Sequence, residues 1–285
     1  MIQNSKFKIE KYLLPFVLAG AFIACYYTTF LWLHYKYDYQ DSYYSHGYMI
    51  PFISAYLIYL ERHKLKDLEI SSSKIGLVMI VFTFLLHIVA TMVDINFISG
   101  FSMFFFIVGC FLYLLGGKIT RELSFPILFL LFMFPIPGVY IDILGLPTKT
   151  IATTIGLGII DLIDISYFRD GFRIQLAEST MFVGTPCNGM KSLISFAALG
   201  VLALYFLDVV IWKRIIVLIG IYPLAIFLNG TRIAALIFIA DKYGIEKASP
   251  ESFFHDLSGI VVFIVGLVIL FLSIKLFGTD KKSKN

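Results

Sequence analysis

Residues 75–93 read IGLVMIVFTFLLHIVATMV, nineteen positions without a charge, and the reading of this stretch decides the fold class. A helix needs about 20 apolar residues to cross roughly 30 Å of hydrocarbon, whereas a surface helix of a soluble domain keeps a charged face to water. None exists here. The rest of the chain repeats the pattern: of its 285 residues 59% are hydrophobic and 15% charged, with mean hydropathy +0.87, where soluble domains carry about a quarter charged residues. A soluble multidomain enzyme, a disordered chain, a coiled coil and a collagen-like chain are excluded on these grounds. Three cysteines are too few and too scattered for a disulfide scaffold, and Cys25 and Cys110 lie inside apolar runs, where packing is the ordinary role of a thiol.

Working outward from residues 75–93, eight low-charge stretches stand out: Leu13–Leu33, Tyr43–Leu60, Ile75–Val93, Phe97–Leu115, Ser124–Val139, Cys187–Leu207, Ile215–Ala240 and His255–Ile274. The fifth is the shortest and carries Pro126, Pro135 and Pro137. The first is too long for a signal-peptide core and is expected to stay as a signal anchor. The expected fold is an all-α, polytopic transmembrane helical bundle of about eight spans. It forms a single membrane-embedded domain over residues 1–285, with a cytoplasmic tail at 1–12 and a basic cytoplasmic tail at 275–285.

Lys and Arg gather on the cytoplasmic side of short loops, and eight spans put both termini on one side. With the termini inside, 15 of the 23 basic residues fall in five inner segments. Only Lys36, Lys149, Arg169, Arg173, Lys242 and Lys247 fall outside, while Lys191 and Arg232 lie within spans. This spread accounts for the net charge of +4 without a nucleic-acid partner, which would need the charges in one stripe. The ambiguous piece is Asp142–Asp164, apolar enough to enter a bilayer yet carrying Asp142, Lys149, Asp161 and Asp164. As a ninth span it would invert everything after it, so an outer interfacial or re-entrant helix is expected there. The β-formers and the Asp170-Gly171 turn signal that follow predict a small outer hairpin leading into Cys187.

Ionisable groups in or beside spans are costly, which makes them functional candidates. Cys187 opens the sixth run in TPCNGMKSLISF, where a helix N-terminus and Lys191, one turn on, would both favour the thiolate. Arg232 in LNGTRIAAL stands nineteen residues beyond Lys213, about 28 Å along a helix and so nearly a full crossing. The alternative for it is a side chain snorkelling to the headgroups. His255 begins the last run, in SPESFFHDLSGIVVF. Loop charges alone thus put a Cys, an Arg and a His from three spans at one depth. These are the parts of a thiol acyl-transfer site: a nucleophile, a fixed cation and an acid/base. His87, mid-span among apolar residues, reads as an interhelical hydrogen-bonding group. No metal-ligand spacing or phosphate loop is present, so no metal and no cofactor is expected.

The segments CNG, NGTRI and FHDLSG, with DSYYSHGYMIPFISAYLIYLER near the start and LLFMFPIPGVYIDILGLP in the middle, closely resemble exosortase/archaeosortase transpeptidases. The resemblance runs in order from about Asp41 to Gly259. It implies that Cys187 is the nucleophile and that Arg232 and His255 complete the site. Cys-Asn-Gly stands where Cys-Ser-Gly is frequent in the bacterial branch. Some archaeal members place an arginine at the third position, so His255 makes the site resemble the exosortase type. His46 in YSHG matches a family motif as well, with substrate placement or a hydrogen bond to the triad as its alternative roles, and Asn188, Lys191 and Asn229 are further supporting candidates.

The resemblance implies a membrane-embedded cysteine protease/transpeptidase of the cell membrane with its site facing outside. Its substrates would be secreted proteins ending in a short motif, a transmembrane helix and a basic tail. The acceptor would be an amine such as a lipid headgroup. The rivals are an intramembrane cysteine hydrolase without transfer and a transporter, which would need polar residues along the midplane. An impermeant thiol reagent added to intact cells should label cysteines placed at Lys149 or Lys247 and miss those at Lys66 or Lys282. Labelling of the second pair would overturn the orientation.

Overall fold

The computed structural model describes residues 19–39, 42–184, 189–207 and 210–277, and Cys187, Asn188 and most of both tails lie outside them. The described chain is helical apart from one small sheet, and it divides into two compact units, Met1–Pro135 and Ile136–Asn285.

In the first unit, helical residues 19–25 lead into α1 (Tyr27–Asp38), followed by α2 (Ile50–Leu65), α3 (Lys74–Met92), α4 (Asn96–Leu114), α5 (Gly117–Glu122) and α6 (Ser124–Phe129). Tyr26 breaks the first helix at φ −98°, ψ 19°. His87 of α3 sits at that break. Its Nε2 lies 2.9 Å from the Cys25 carbonyl, which only accepts, so Nε2 carries the proton. In the neutral ring Nδ1 then accepts from the Ser99 hydroxyl of α4 at 2.9 Å, and Thr29 of α1 donates in turn to Ser99. The expected interhelical role of His87 is what the structure has. Cys25 and Cys110 are free thiols.

The second and fifth runs differ from their expected extents. Helix α2 begins only at Ile50, because Ser45–Tyr48 forms a separate 3-10 turn. Ser124–Val139 is helical only to Met133, α6 passing into a 3-10 turn over Leu130–Met133. At ten residues it is about 15 Å long, short of the hydrocarbon thickness. Pro135 pushes Phe134 to an extended ψ of 120° and ends the helix.

The second unit holds α7 (Gly138–Asp161), strands β1 (Phe168–Asp170), β2 (Arg173–Gln175) and β3 (Thr180–Phe182), then α8 (Met190–Phe206), α9 (Ile211–Tyr243), α10 (Ile245–Ala248) and α11 (Phe253–Phe277). Where an outer interfacial or re-entrant helix was expected over Asp142–Asp164, the structure has a helix, α7, continuous over 24 residues. It is among the five helices that are long and apolar enough to cross a membrane, with α3, α4, α9 and Phe253–Leu276.

Helix α7 runs parallel to α9, since Thr148 meets Tyr222 and Gly156 meets Gly230. A Cβ on Gly156 would stand 2.9 Å from the Gly230 carbonyl oxygen, and one on Gly230 2.7 Å from Ile155 Cγ2. The pair therefore packs backbone against backbone, as small residues allow between membrane helices. Lys149, the charge that most argued against insertion, lies with its Nζ 3.9 Å from the Phe172 ring centroid and 5.0 Å from that of Phe182. An ammonium held over two ring faces is compensated. That covered position leaves Lys247 the more informative outer labelling site. Helices α8 and α11 both run antiparallel to α9: Gly200 meets Ile221, and Gly266 meets Leu228 while Gly259 meets Arg232. Phe196 of α8 stacks on Phe263 of α11 at 5.2 Å.

The expected hairpin is present and gains a third strand, in the antiparallel order β1-β2-β3. Asp170 pairs with Arg173 across a turn whose first central residue is Gly171, at φ +60°. Ile174, Met181 and Val183 bury the inner face in a cluster with Ala152, Ile160, Ile233 and Ile237 of α7 and α9. Replacing Gly156 with Leu should force α7 and α9 apart at a cost of about 1–3 kcal/mol. Thermal unfolding in detergent measures it, and an unchanged midpoint would contradict the close contact.

Candidate active site

Helix α9 carries the LNGTR stretch. Asn229 is buried, and Arg232, one turn further along the same helix, is partly buried. The guanidinium reaches the first turn of α11. Its Nη2 donates to the His255 backbone carbonyl at 3.5 Å, and its Nε donates to Ser258 Oγ at 3.4 Å. Ser258 Oγ donates to that same carbonyl at 2.7 Å. These two contacts are long for N–H···O bonds. Gly259 provides the space: a Cβ there would sit 3.5 Å from Nη2 and 3.6 Å from Cζ. The FHDLSG stretch thus supplies the carbonyl, the hydroxyl and the flat floor on which Arg232 lies.

His255 is fixed from the other side. Ser252 accepts a hydrogen bond from the His255 N–H at 3.1 Å, the N-cap pattern of a serine three residues ahead. The same hydroxyl donates to the Lys247 carbonyl at 2.5 Å, tying the start of α11 to the end of α10. The imidazole is buried, at 6% exposure.

The third segment enters through Gly189. This residue is the N-cap of α8 at φ +75°, a left-handed conformation that glycine adopts without strain. A Cβ on it would stand 3.3 Å from Asn229 Nδ2, so Gly189 rests on the Asn229 side chain. Helix α8 starts at Met190, and Lys191 is exposed on its first turn. Cys187 and Asn188 themselves lie outside the described residues.

Of the expected residues, the structure brings Arg232, His255 and Asn229 together around α9. His46 belongs to the first unit, where it sits in the Ser45–Tyr48 turn. Its Nε2 is buried without a hydrogen-bond partner among the described residues.

Residues 32–272 match the family model for transmembrane exosortases. The chain belongs to the transmembrane exosortase family. No curated protein and no solved structure gives a match. Membership makes the chain a multi-pass membrane protein of the transpeptidase/protease kind, in a family that acts on secreted proteins with sorting signals.

The family motifs also meet inside the first unit, through residues no motif singled out. Tyr37 donates to the Met133 carbonyl at 2.6 Å, joining α1 to the FMFPIPG segment. The Tyr37 ring packs edge-on against Tyr48 at 4.8 Å, and His34 Nδ1 bonds the Tyr48 hydroxyl at 2.5 Å. A histidine outside every motif is thereby coupled to the SHGY turn. Its only sequence signal was the tyrosine density over residues 35–48.

The arginine floor gives a direct test. Replacing Gly259 with Ala should leave substrate processing near the parental rate, because a Cβ at 3.5 Å is an ordinary contact. A leucine there would displace the guanidinium and should lower the rate by ~10²-fold, the usual cost of losing one preorganised stabilising group. Equal rates for the two variants would show that the position of Arg232 does not matter.

Proposed function

We propose that this protein is a cysteine transpeptidase that cleaves the C-terminal sorting signal of secreted proteins at the outer face of the cell membrane and passes the new C-terminus to an amine acceptor, such as a lipid headgroup. In this reading both termini are cytoplasmic, and the two units act as one enzyme domain, in line with a family match that runs through both. The observation that carries the reading is the placement of the Arg232 guanidinium on the His255 turn of α11, with Gly189 packed on Asn229 one turn away. Cys187 stands two positions before Gly189, and a chain spans at most about 3.6 Å per residue. Covalent geometry therefore keeps the Cys187 backbone within about 7 Å of the Gly189 backbone.

The chemistry follows from the side chains. The Cys187 thiolate attacks the scissile carbonyl carbon, and Arg232 stabilises the oxyanion that forms. His255 gives a proton to the departing amine as the C–N bond breaks, leaving a thioester. The incoming amine attacks that thioester, His255 takes a proton from it, and the new amide departs as the thiol is restored. One imidazole serves as acid and then as base. Asn229 positions the turn that carries the nucleophile, and Asn188 and Lys191 flank it. The reading gives His46 a part in placing substrate.

The test is the intact mass of a processed substrate from cells with the parent enzyme against cells with Cys187→Ala. The parent should yield a C-terminally shortened protein carrying the added mass of the acceptor, and the variant should yield uncut protein. A shortened protein bearing only water would mean hydrolysis. Identical products in both cells would remove Cys187 from the reaction. Arg232→Lys should fail despite its charge, because an ammonium lacks the planar multi-donor fork, and His255→Ala should slow turnover by ~10²–10⁴-fold.

A further inference from the structure

We infer that the free edge of β3 is a docking strand for the extended segment of the substrate that carries the bond to be cut; this rests on the transpeptidase reading above. Strand β3 pairs with β2 through Ile174 and Met181. The ladder continues at both ends, with Leu176 N–H donating to the Ser179 carbonyl at 2.7 Å and Val183 N–H donating to the Phe172 carbonyl at 2.9 Å. In an antiparallel pair only alternate residues bond toward a given neighbour. Residues 179, 181 and 183 therefore face β2, and Thr180 and Phe182 turn their N–H and C=O groups the other way. These two donors and two acceptors have no partner among the described residues.

The edge is held stiffly from behind. Met181 and Val183 are buried at 6% and 0% exposure in the cluster with α7 and α9, while Thr180 is exposed and Phe182 is 67% exposed. A strand that is anchored on one face and unpaired along its rim is a template for another extended chain.

The opposite edge carries a tethered side chain. On β1 only Arg169 directs its backbone outward, and its side chain folds across that rim. Its Nε donates to the Gly171 carbonyl at 3.0 Å and its Nη1 to Thr154 Oγ1 of α7 at 3.1 Å. The two rims of one small sheet are thus treated differently, and the open rim is the one that runs on into Cys187, five residues after Phe182.

The occupant follows from the reaction. A peptide carbonyl inside a helix is bonded and shielded, so the cut segment has to be extended, with unpaired backbone groups of its own. Pairing with Thr180 and Phe182 satisfies those groups and leads the chain toward the nucleophile. Backbone pairing sets direction and register, and the exposed Phe182 and Thr180 side chains contact alternate substrate residues.

The experiment uses the full-length chain with Cys25, Cys110 and Cys187 replaced by alanine and the substrate identified by the mass comparison above. Single cysteines are placed through its cleavage segment, and Phe182→Cys is introduced on the enzyme. Disulfide cross-links should form at every second substrate position, the side-chain period of a strand. Cross-links without alternation, cross-links from Phe168→Cys instead, or none at all would overturn the docking strand.

In the otherwise parental enzyme, Thr180→Pro removes an outward N–H while leaving the β2 ladder intact, as proline can on an edge strand. It should raise KM about five- to tenfold, the worth of about one hydrogen bond, with kcat held. Thr180→Ala keeps the N–H and loses only a side-chain contact, so its KM should rise less than that of Thr180→Pro. Equal KM for Thr180→Pro and the parent, with the same rate of Cys187 alkylation by iodoacetamide, would also overturn the proposal. Failure of the transpeptidase reading looks different: product would then form in cells carrying Cys187→Ala whatever the β3 variants do.

Discussion

A guanidinium near the end of an apolar helix has to be satisfied where it stands, and much of the second unit is organised around doing so for Arg232. Burying an ionised group unpaired costs several kcal/mol, far more than a single side-chain contact returns. The first turn of α11 meets part of this demand, offering the His255 carbonyl, the Ser258 hydroxyl and the open face of Gly259. Under the transpeptidase reading, neutral acceptors of this kind orient the guanidinium and leave its positive field available to a developing oxyanion. The antiparallel packing of α9 and α11 and the Ser252 cap on the His255 N–H follow from the need to keep that turn in register.

The first unit solves its own polar problem differently. Thr29, Ser99, His87 and the Cys25 carbonyl form one chain of hydrogen bonds through three helical segments, closing at the break around Tyr26. In hydrocarbon a helix break exposes backbone groups that water cannot reach, so a partner from a neighbouring helix must supply the bond. His87 does so with one nitrogen and passes the connection on with the other. The ring is thereby committed on both sides, which explains why a mid-span histidine can be wholly structural.

The spans of α3, α4, α9 and α11 were legible because long uncharged runs have no other stable home. The contact between Arg232 and the His255 turn was legible in part for the converse reason, since polar groups in such runs have to find partners. The limits of α2 and α6 were hidden by turn chemistry at SHGY and at Pro135, which hydropathy does not register. The unbroken length of α7 was hidden by the charges spread over Asp142–Asp164, Lys149 among them. The compensation comes from Phe172 and Phe182, rings on a turn and a strand far along the chain, and no local pattern announces such a contact. The coupling of His34 to Tyr48 was equally invisible, since it depends on how α1 and the SHGY turn meet.

Peptide-bond chemistry beside a membrane imposes a last constraint, under the transpeptidase reading. A substrate that enters as a transmembrane helix hides every carbonyl in its own hydrogen bonds, and a bilayer stabilises that state strongly. The enzyme must therefore receive the segment where the helix ends and must offer its backbone an alternative set of partners. Among the described residues of the second unit, strands occur only between Phe168 and Phe182, a few residues ahead of Gly189, which packs on Asn229. A sheet in an otherwise helical fold is poor economy for packing, because three short strands bury little apolar surface and leave rims to satisfy. It makes sense where extended backbone is to be held. The order sheet, nucleophile turn, helix then places the element that can pair with an unwound peptide directly before the residue that would attack it, so that unwinding the substrate and presenting its carbonyl become one event.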